Sequence, residues 1–338
     1  MTGARTPAPA AKAGFVLPSV LVVVGMVTLV FLVAIDALDS LAKETARVTG
    51  RAGAQAAALD LEAQATWFAA TRPLNSTEIL AAAAGDRRGA QPIGLDGRAY
   101  DASAGRTVAL QDEAGLANLD NLTQAALPSL FAVLGVAPDQ RAAMVDRFSD
   151  YLDADDLKRV EGAEADDYLR AGLPPPPNAP LRAKDQALGI MGWKDVVPSR
   201  SWLETRDALT ADPSSIGMNV NTAPAAALKV LFGFSDAQAA AAITRRAGAP
   251  FSGLGDLGRA AGVALVGDAE RVYTFPNGRF AVKISDASAG WVFRSRIVLS
   301  PDDAERPFWI VEQGMSAMTP AEKANLKVHA PLFPDPAA

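Results

Sequence analysis

From Phe15 to Ile35 the chain runs twenty-one residues without a formal charge, FVLPSVLVVVGMVTLVFLVAI. At about 1.5 Å per helical residue, such a run matches the hydrocarbon of a bilayer, about 30 Å thick. It has no polar face, which the core helix of a soluble domain would show. Beyond it Leu38, Leu41, Thr45, Val48, Ala52, Ala56, Leu59 and Ala63 recur in steps of three and four, a helical stripe. The pattern predicts one helix from Phe15 to about Ala70, roughly 84 Å long, ended by Arg72-Pro73. Its first half suits lipid, and its second half offers one apolar face to a folded head.

The period then changes. Gly85 to Arg106 is rich in Gly, Asp and Arg and reads as loop with short strands, followed by a strand over Thr107–Gln111. Three more strand-like runs lie near the C-terminus, Arg279–Ser285, Trp291–Ser300 and Pro307–Gly314. Asn277-Gly278 and Ser288-Ala289-Gly290 supply turns. Between the early strand and the late ones lie about 160 residues of helical, Ala/Leu-rich character. A helical block inserted into a small antiparallel sheet accounts for this order, an α+β fold.

The insert repeats itself. NLDNLTQAALPSLFAVLGVAPDQRAAMV (Asn118–Val145) is echoed by NVNTAPAAALKVLFGFSDAQAAAAI (Asn219–Ile243). Gly135, Val136, Gln140, Ala142 and Val145 recur 98 residues on as Gly233, Phe234, Gln238, Ala240 and Ile243. Each copy reads as helix, glycine stop, capped helix. Thr222 caps with Pro224 in the first turn, and Ser235 with Gln238 makes a capping box. These are helix-hairpin-helix (SAM-like) units that can pack as one pseudo-symmetric lobe. Such hairpins can hold a DNA phosphate on a Gly-x-Gly turn. Here the second glycine is missing in both copies, and nearby basic residues are limited to Lys229, Arg245 and Arg246.

Composition narrows the function classes. Thirty-two basic residues against 38 acidic give the 338-residue chain a net charge of −6, which argues against broad contact with phosphate backbones. With no cysteine and a single histidine, His329, disulfides, thiolate zinc sites, thiol nucleophiles and histidine triads are excluded. Arg5 and Lys12 before the apolar run, and Asp36 and Asp39 after it, put the N-terminus in the cytoplasm and the rest across the membrane. A cleaved secretory signal competes with an anchor, but its apolar region would be about half as long.

Eight carboxylates crowd DYLDADDLKRVEGAEADD: Asp150, Asp153, Asp155, Asp156, Glu161, Glu164, Asp166 and Asp167. A solvated face is the plain reading. The sharper one notes that Gly162 permits a turn, that Asp153-x-Asp155 brings oxygens to one side, and that such density repels unless a cation intervenes. An oxygen-only cluster suits calcium rather than zinc, in an irregular site without EF-hand spacing. Pro174 to Pro177 read as a stiff connector. Gly253-Leu254-Gly255-Asp256-Leu257-Gly258 spells a dinucleotide fingerprint without the parallel strand it needs.

Gly14-Phe15, a small residue followed by an aromatic opening the apolar run, resembles the cleavage site of the type IV pilin and pseudopilin class. There the prepilin peptidase removes a short basic leader, and the fifth mature residue is usually a glutamate. Here the fifth position is Ser19, which suits a subunit with no neighbour above it, since a serine cannot pair with a buried ammonium. The stretches Leu110-Gln111-Asp112-Glu113-Ala114-Gly115-Leu116-Ala117-Asn118-Leu119, Asp150-Tyr151-Leu152-Asp153-Ala154-Asp155, Gly162-Ala163-Glu164 with Asp166 and Tyr168, and Asn219-Val220-Asn221-Thr222-Ala223-Pro224 extend the likeness. Together they resemble the type II secretion system protein K family, the large minor pseudopilins, over roughly Gly14 to Gly314.

That resemblance implies a pilin-like head, with its long N-terminal helix packed on the sheet, seated at a pseudopilus tip with minor pseudopilins I and J. It implies a structural protein of the bacterial inner membrane, not an enzyme, that initiates assembly and supports export of folded proteins. It also implies calcium in the helical lobe, with candidate ligands Asp153, Asp155, Glu161, Glu164, Asp166 and Asp167. Ala165 departs from the family's usual aspartate. The expected organisation is a leader over 1–14, a transmembrane segment over 15–35 and a periplasmic helix over 36–70. The head occupies 71–114 and 269–315, the helical insert 115–268 with its acidic loop at 150–167, and a Pro-rich tail 316–338. Two rivals from other classes are a membrane-anchored DNA-binding protein of competence type and a periplasmic hydrolase using the acidic run with a metal.

Overall fold

The computed structural model describes residues 16–81, 91–215, 217–265 and 272–332. The leader, with Gly14 and Phe15, lies outside them. Helix α1 runs unbroken over Val16–Thr71. Two compact units divide the chain, residues 1–57 and residues 58–338. In the first, α1 carries the apolar run, whose side chains from Leu17 to Ile35 are exposed. An apolar surface that water would penalise along its whole length is what a lipid-facing span requires.

The last turns of α1 belong to the second unit. They bury Ala58, Leu61, Ala65, Phe68 and Ala69, again in steps of three and four. The face differs from the one the sequence pattern picks out, since Leu59 and Ala63 are exposed. Alanines occupy both faces of this stretch, so hydrophobic period alone does not choose between them, and the bulk of Phe68 does.

After α1 come β1 (Glu78–Ile79), β2 (Ile93–Gly94), β3 (Asp96–Asp101), β4 (Arg106–Asp112) and β5 (Ala117–Asn118). Next are α2 (Leu127–Val133), α3 (Arg141–Leu152), α4 (Ala165–Arg170), α5 (Trp193–Val196) and α6 (Ser199–Thr205). Then follow β6 (Leu209–Thr210), β7 (Met218–Asn219), α7 (Ala225–Phe232), α8 (Asp236–Gly248), α9 (Leu254–Ala261) and β8 (Val272–Tyr273). The chain closes with β9 (Arg279–Asp286), β10 (Trp291–Leu299), β11 (Phe308–Ala317), α10 (Pro320–Asn325) and β12 (Val328–Pro331).

One six-stranded sheet organises the head, in the order β11-β10-β9-β4-β3-β12. All pairs are antiparallel except β12 with β3. The sheet is therefore mixed rather than purely antiparallel. The expected tail contributes α10 and an edge strand carrying His329. Alternation explains the register: Phe280, Val282 and Ile284 of β9 are buried on one face, with Val108 and Leu110 of β4 beside them. The β9–β10 turn closes because the Asp286 carboxylate accepts the N–H groups of Ser288 and Ala289, and Gly290 takes a φ of 73°.

The described residues between β4 and β9 form the inserted helical lobe. Its core is aromatic: Phe131 meets Phe148 and Trp193 edge-on, and Trp193 meets Trp202 the same way. Helix α2 packs on α3 and on α7, and α7 packs on α8. The two halves of the echo are thus joined through their first helices. Gly135 and Gly233 both stand at positive φ, 80° and 67°, where each first helix stops. Ser235 and Gln238 form the expected capping box. Thr222 does not cap α7, whose cap position is Pro224.

Candidate functional site

Where the sheet gives way to the lobe, Asp112 ends β4 and is fully buried. One carboxylate oxygen accepts from Asn219 Nδ2 and Thr222 Oγ1, each at 2.9 Å, and the other accepts the Ala114 N–H at 3.2 Å. Thr222 is thereby diverted from its helix to a partner 110 residues away. No cation touches this carboxylate among the described contacts, and burial pushes its pKa up to about 6 against the pull of those donors. Asn118 and Asn219, which open the two copies of the echo, do the same local work. Each side-chain oxygen accepts the N–H two residues on, from Asp120 at 3.2 Å and Asn221 at 3.0 Å. Asn118 also donates to the carbonyls of Asp212 and Ser215, and Asn221 to that of Phe251.

The lobe meets the opposite face of the sheet through charge. Asp207, just after α6, takes Lys283 of β9 at 2.7 Å and Arg294 of β10 at 2.9 Å. Burial would raise the Asp207 carboxyl, but those two cations hold it well below the usual carboxylate range. Arg294 continues to Glu322 of α10, and Arg296 grips Glu113 with two hydrogen bonds of 2.5 and 2.9 Å. A cavity of about 430 Å³ remains between these layers, lined by Lys184, Asp207, Lys283 and Arg294 among others.

The acidic loop joins α3 to α4. Met144, Phe148 and Tyr151 turn α3 onto the lobe core and carry Asp150 inside with them. Asp150 is neutralised from within the same run: Arg159 reaches it at 2.6 Å and Asp153 at 2.5 Å, while the Arg159 N–H adds a bond to Asp150 at 3.2 Å. Gly162 passes so close that a Cβ there would lie 1.8 Å from Asp150 Oδ2. Asp167 accepts the Glu164 N–H and pairs with Lys158 and Arg170. Glu164 is buried and neither of its oxygens has a hydrogen-bond partner. Burial first, and then Asp150 and Asp153, push its pKa up to about 7.

The six candidate ligands are therefore not one cluster. Asp153 and Glu164 face inward, and Asp153 Oδ1 also lacks a hydrogen-bond partner. Asp167 is committed to its cations. Asp155, Glu161 and Asp166 are exposed. Among the described residues no three acidic or histidine side chains are gathered in ion-holding geometry. The residues that sequence reasoning missed are Asp112, Arg159 and Asp207. Only Arg159 was within reach of it, as a lone arginine centred among carboxylates. Ser19 lies exposed within α1, and Gly14 and Phe15 remain outside the described residues.

The described residues thus combine a helix apolar enough to cross a membrane with a mixed sheet that carries a helical lobe between its middle strands. Residues 107–198 match the family model of type II secretion system protein K. A solved structure similar in fold is the GspK-GspI-GspJ complex from the enterotoxigenic Escherichia coli type 2 secretion system. The match has TM-score 0.55 and 18% identity, covering 80% of this chain and 99% of that one. No curated protein matches. Over residues 107–198 the chain is thus similar to type II secretion system protein K, and the likeness of fold extends over most of its length.

Proposed function

We propose that this minor pseudopilin caps the tip of a periplasmic pseudopilus, packed against minor pseudopilins I and J, where it initiates assembly and supports protein export. The observation that carries the reading is the helical lobe set between two neighbouring strands of the head sheet. A head so widened suits a terminal place in a stack, and Ser19 in place of a carboxylate suits it too. Gly14-Phe15 is the site for prepilin peptidase, with α1 held in the inner membrane and its N-terminus cytoplasmic. The work is mechanical and needs no catalytic group. The test is co-expression of the full chain with subunits I and J, followed by N-terminal sequencing and co-purification from membranes. The expected result is a mature start at Phe15 and a complex retaining both partners. A soluble product starting near residue 36 would overturn the reading.

The paired hairpins α2–α3 and α7–α8 act here as helix-hairpin-helix-like packing units. Their basic residues are already engaged, which disfavours the DNA-binding rival. Lys229 pairs with Asp236 at 2.8 Å, Arg245 bonds the Ala249 carbonyl, and buried Arg246 bonds the carbonyls of Val220 and Ala223. A salt-sensitive shift of duplex DNA by the intact protein would reverse that preference.

The acidic loop is suited to a structural calcium. Its donors are all oxygens, and the buried, unbonded oxygens of Glu164 and Asp153 fit a hard cation. Asp153 and Glu164 would hold it. Because Arg159 now supplies the positive charge, its release from Asp153 accompanies binding. Calcium added to chelator-treated protein should raise the melting temperature, magnesium should do so less, and Glu164→Gln should abolish the difference. Equal melting with and without calcium would sink the assignment.

A further inference from the structure

The acidic loop exposes aliphatic side chains. Its polar groups are tied, some buried and some at the surface: Asp155 accepts the Leu157 N–H at 2.9 Å, and Asn178 donates to Asp156 Oδ1 and to the Asp155 carbonyl. Lys158 holds Asp167, Arg159 holds Asp150 and Asp153, and the Glu161 N–H is held by Asp146. Between these fixed points the aliphatic side chains point to water. Val160 is 95% exposed, Leu157 77%, Leu169 of α4 63%, and Leu173 39%. The same bonds tie together the segments that carry them. Lys158 links Leu157 and Val160 to α4 through Asp167, and Asn178 links the loop to the proline run that follows Leu173.

A loop free to choose would bury such side chains or let them move. Here the surrounding ion pairs keep them ordered and outward, so their exposure costs free energy that the isolated protein does not recover. Ordered aliphatics with a charged rim are the composition of a recognition surface. The rim is one-sided. Asp155, Asp156, Glu161 and Asp166 face solvent, whereas Lys158, Arg159 and Arg170 are each engaged by a carboxylate. That charge repels an anionic bilayer and attracts a basic one-sided segment.

We propose that Leu157, Val160, Leu169 and Leu173 form a docking surface for a basic, apolar segment of a partner protein. This does not rest on the assembly reading above. The surface lies on the outer side of the lobe loop, so a partner can engage it without unfolding anything.

The test uses the full chain in nanodiscs of neutral lipid, with two synthetic peptides as probes: one of leucines and lysines, and the same sequence with every lysine replaced by glutamate. The expected result is binding of the cationic peptide alone, weakened about tenfold or more by the double variant L157S/V160S. The variant should melt as the parent does, because both side chains are exposed. Affinity should also fall as salt rises. Equal binding by parent and variant, or equal binding of both peptides, overturns the proposal. So does preferential binding to anionic vesicles that the double variant loses, which would make the surface a membrane contact.

Discussion

Replacing Asp112 with asparagine isolates one buried charge. The wild-type carboxyl has a pKa of about 6 in the folded protein and an ordinary value of 3.8 once unfolded. Because the folded value is the higher, its contribution to stability is fully present below about pH 3.8 and is lost as pH rises through about 6. At about 1.4 kcal/mol per tenfold change in proton affinity, the loss amounts to roughly 3 kcal/mol. Asparagine keeps the acceptor for Asn219 and Thr222 and never ionises. It sets an N–H against that of Ala114, a mismatch of about 1–2 kcal/mol that does not depend on pH. The wild type's advantage over Asp112→Asn should therefore shrink by about 3 kcal/mol between about pH 4 and about pH 7. Urea unfolding of the full chain in neutral detergent, followed through the buried Trp193 and Trp202, measures the difference at each pH. A difference that stays constant across that range refutes the argument that Asp112 sits uncompensated by charge.

Two other changes test the acidic loop. Arg159→Ala removes the one cation bonded to fully buried Asp150 among the described residues, and should cost about 2–4 kcal/mol in a denaturant melt. Gly162→Ala forces a methyl against Asp150 Oδ2, and should lower the melting temperature by more than an alanine at Gly248, which meets nothing within 4 Å and is not at a positive φ.

What the sequence made legible was mostly local. Pro73 stops α1 two residues after Thr71, and the strands around Gly290 fall within a residue or two of their patterned runs, except that β11 extends to Ala317. What it hid was non-local. Thr222 reads as a helix cap because caps are short-range devices, and its real partner belongs to a strand more than a hundred residues earlier. Strand β12 is four residues beside prolines, and only its pairing with β3 makes it a strand. The acidic run announced its charge but not its arrangement. Which carboxylate goes inside depends on α3 anchoring through Phe148 and Tyr151, and that choice brings Arg159 in with it.

In the sheet, Asp112 of β4 stands opposite Phe280 of β9, so the chain departs and returns at one doorway. A detour of roughly 165 residues costs only about 3 kcal/mol more in closure entropy than a hairpin of four, since the penalty grows with the logarithm of length. The head can therefore tolerate large changes of cargo at that doorway while its strand order is preserved. Replacement of the whole lobe by another module asks that the two sides of the doorway stay joined and that the charges Asp207 now meets on Lys283 and Arg294 find new partners.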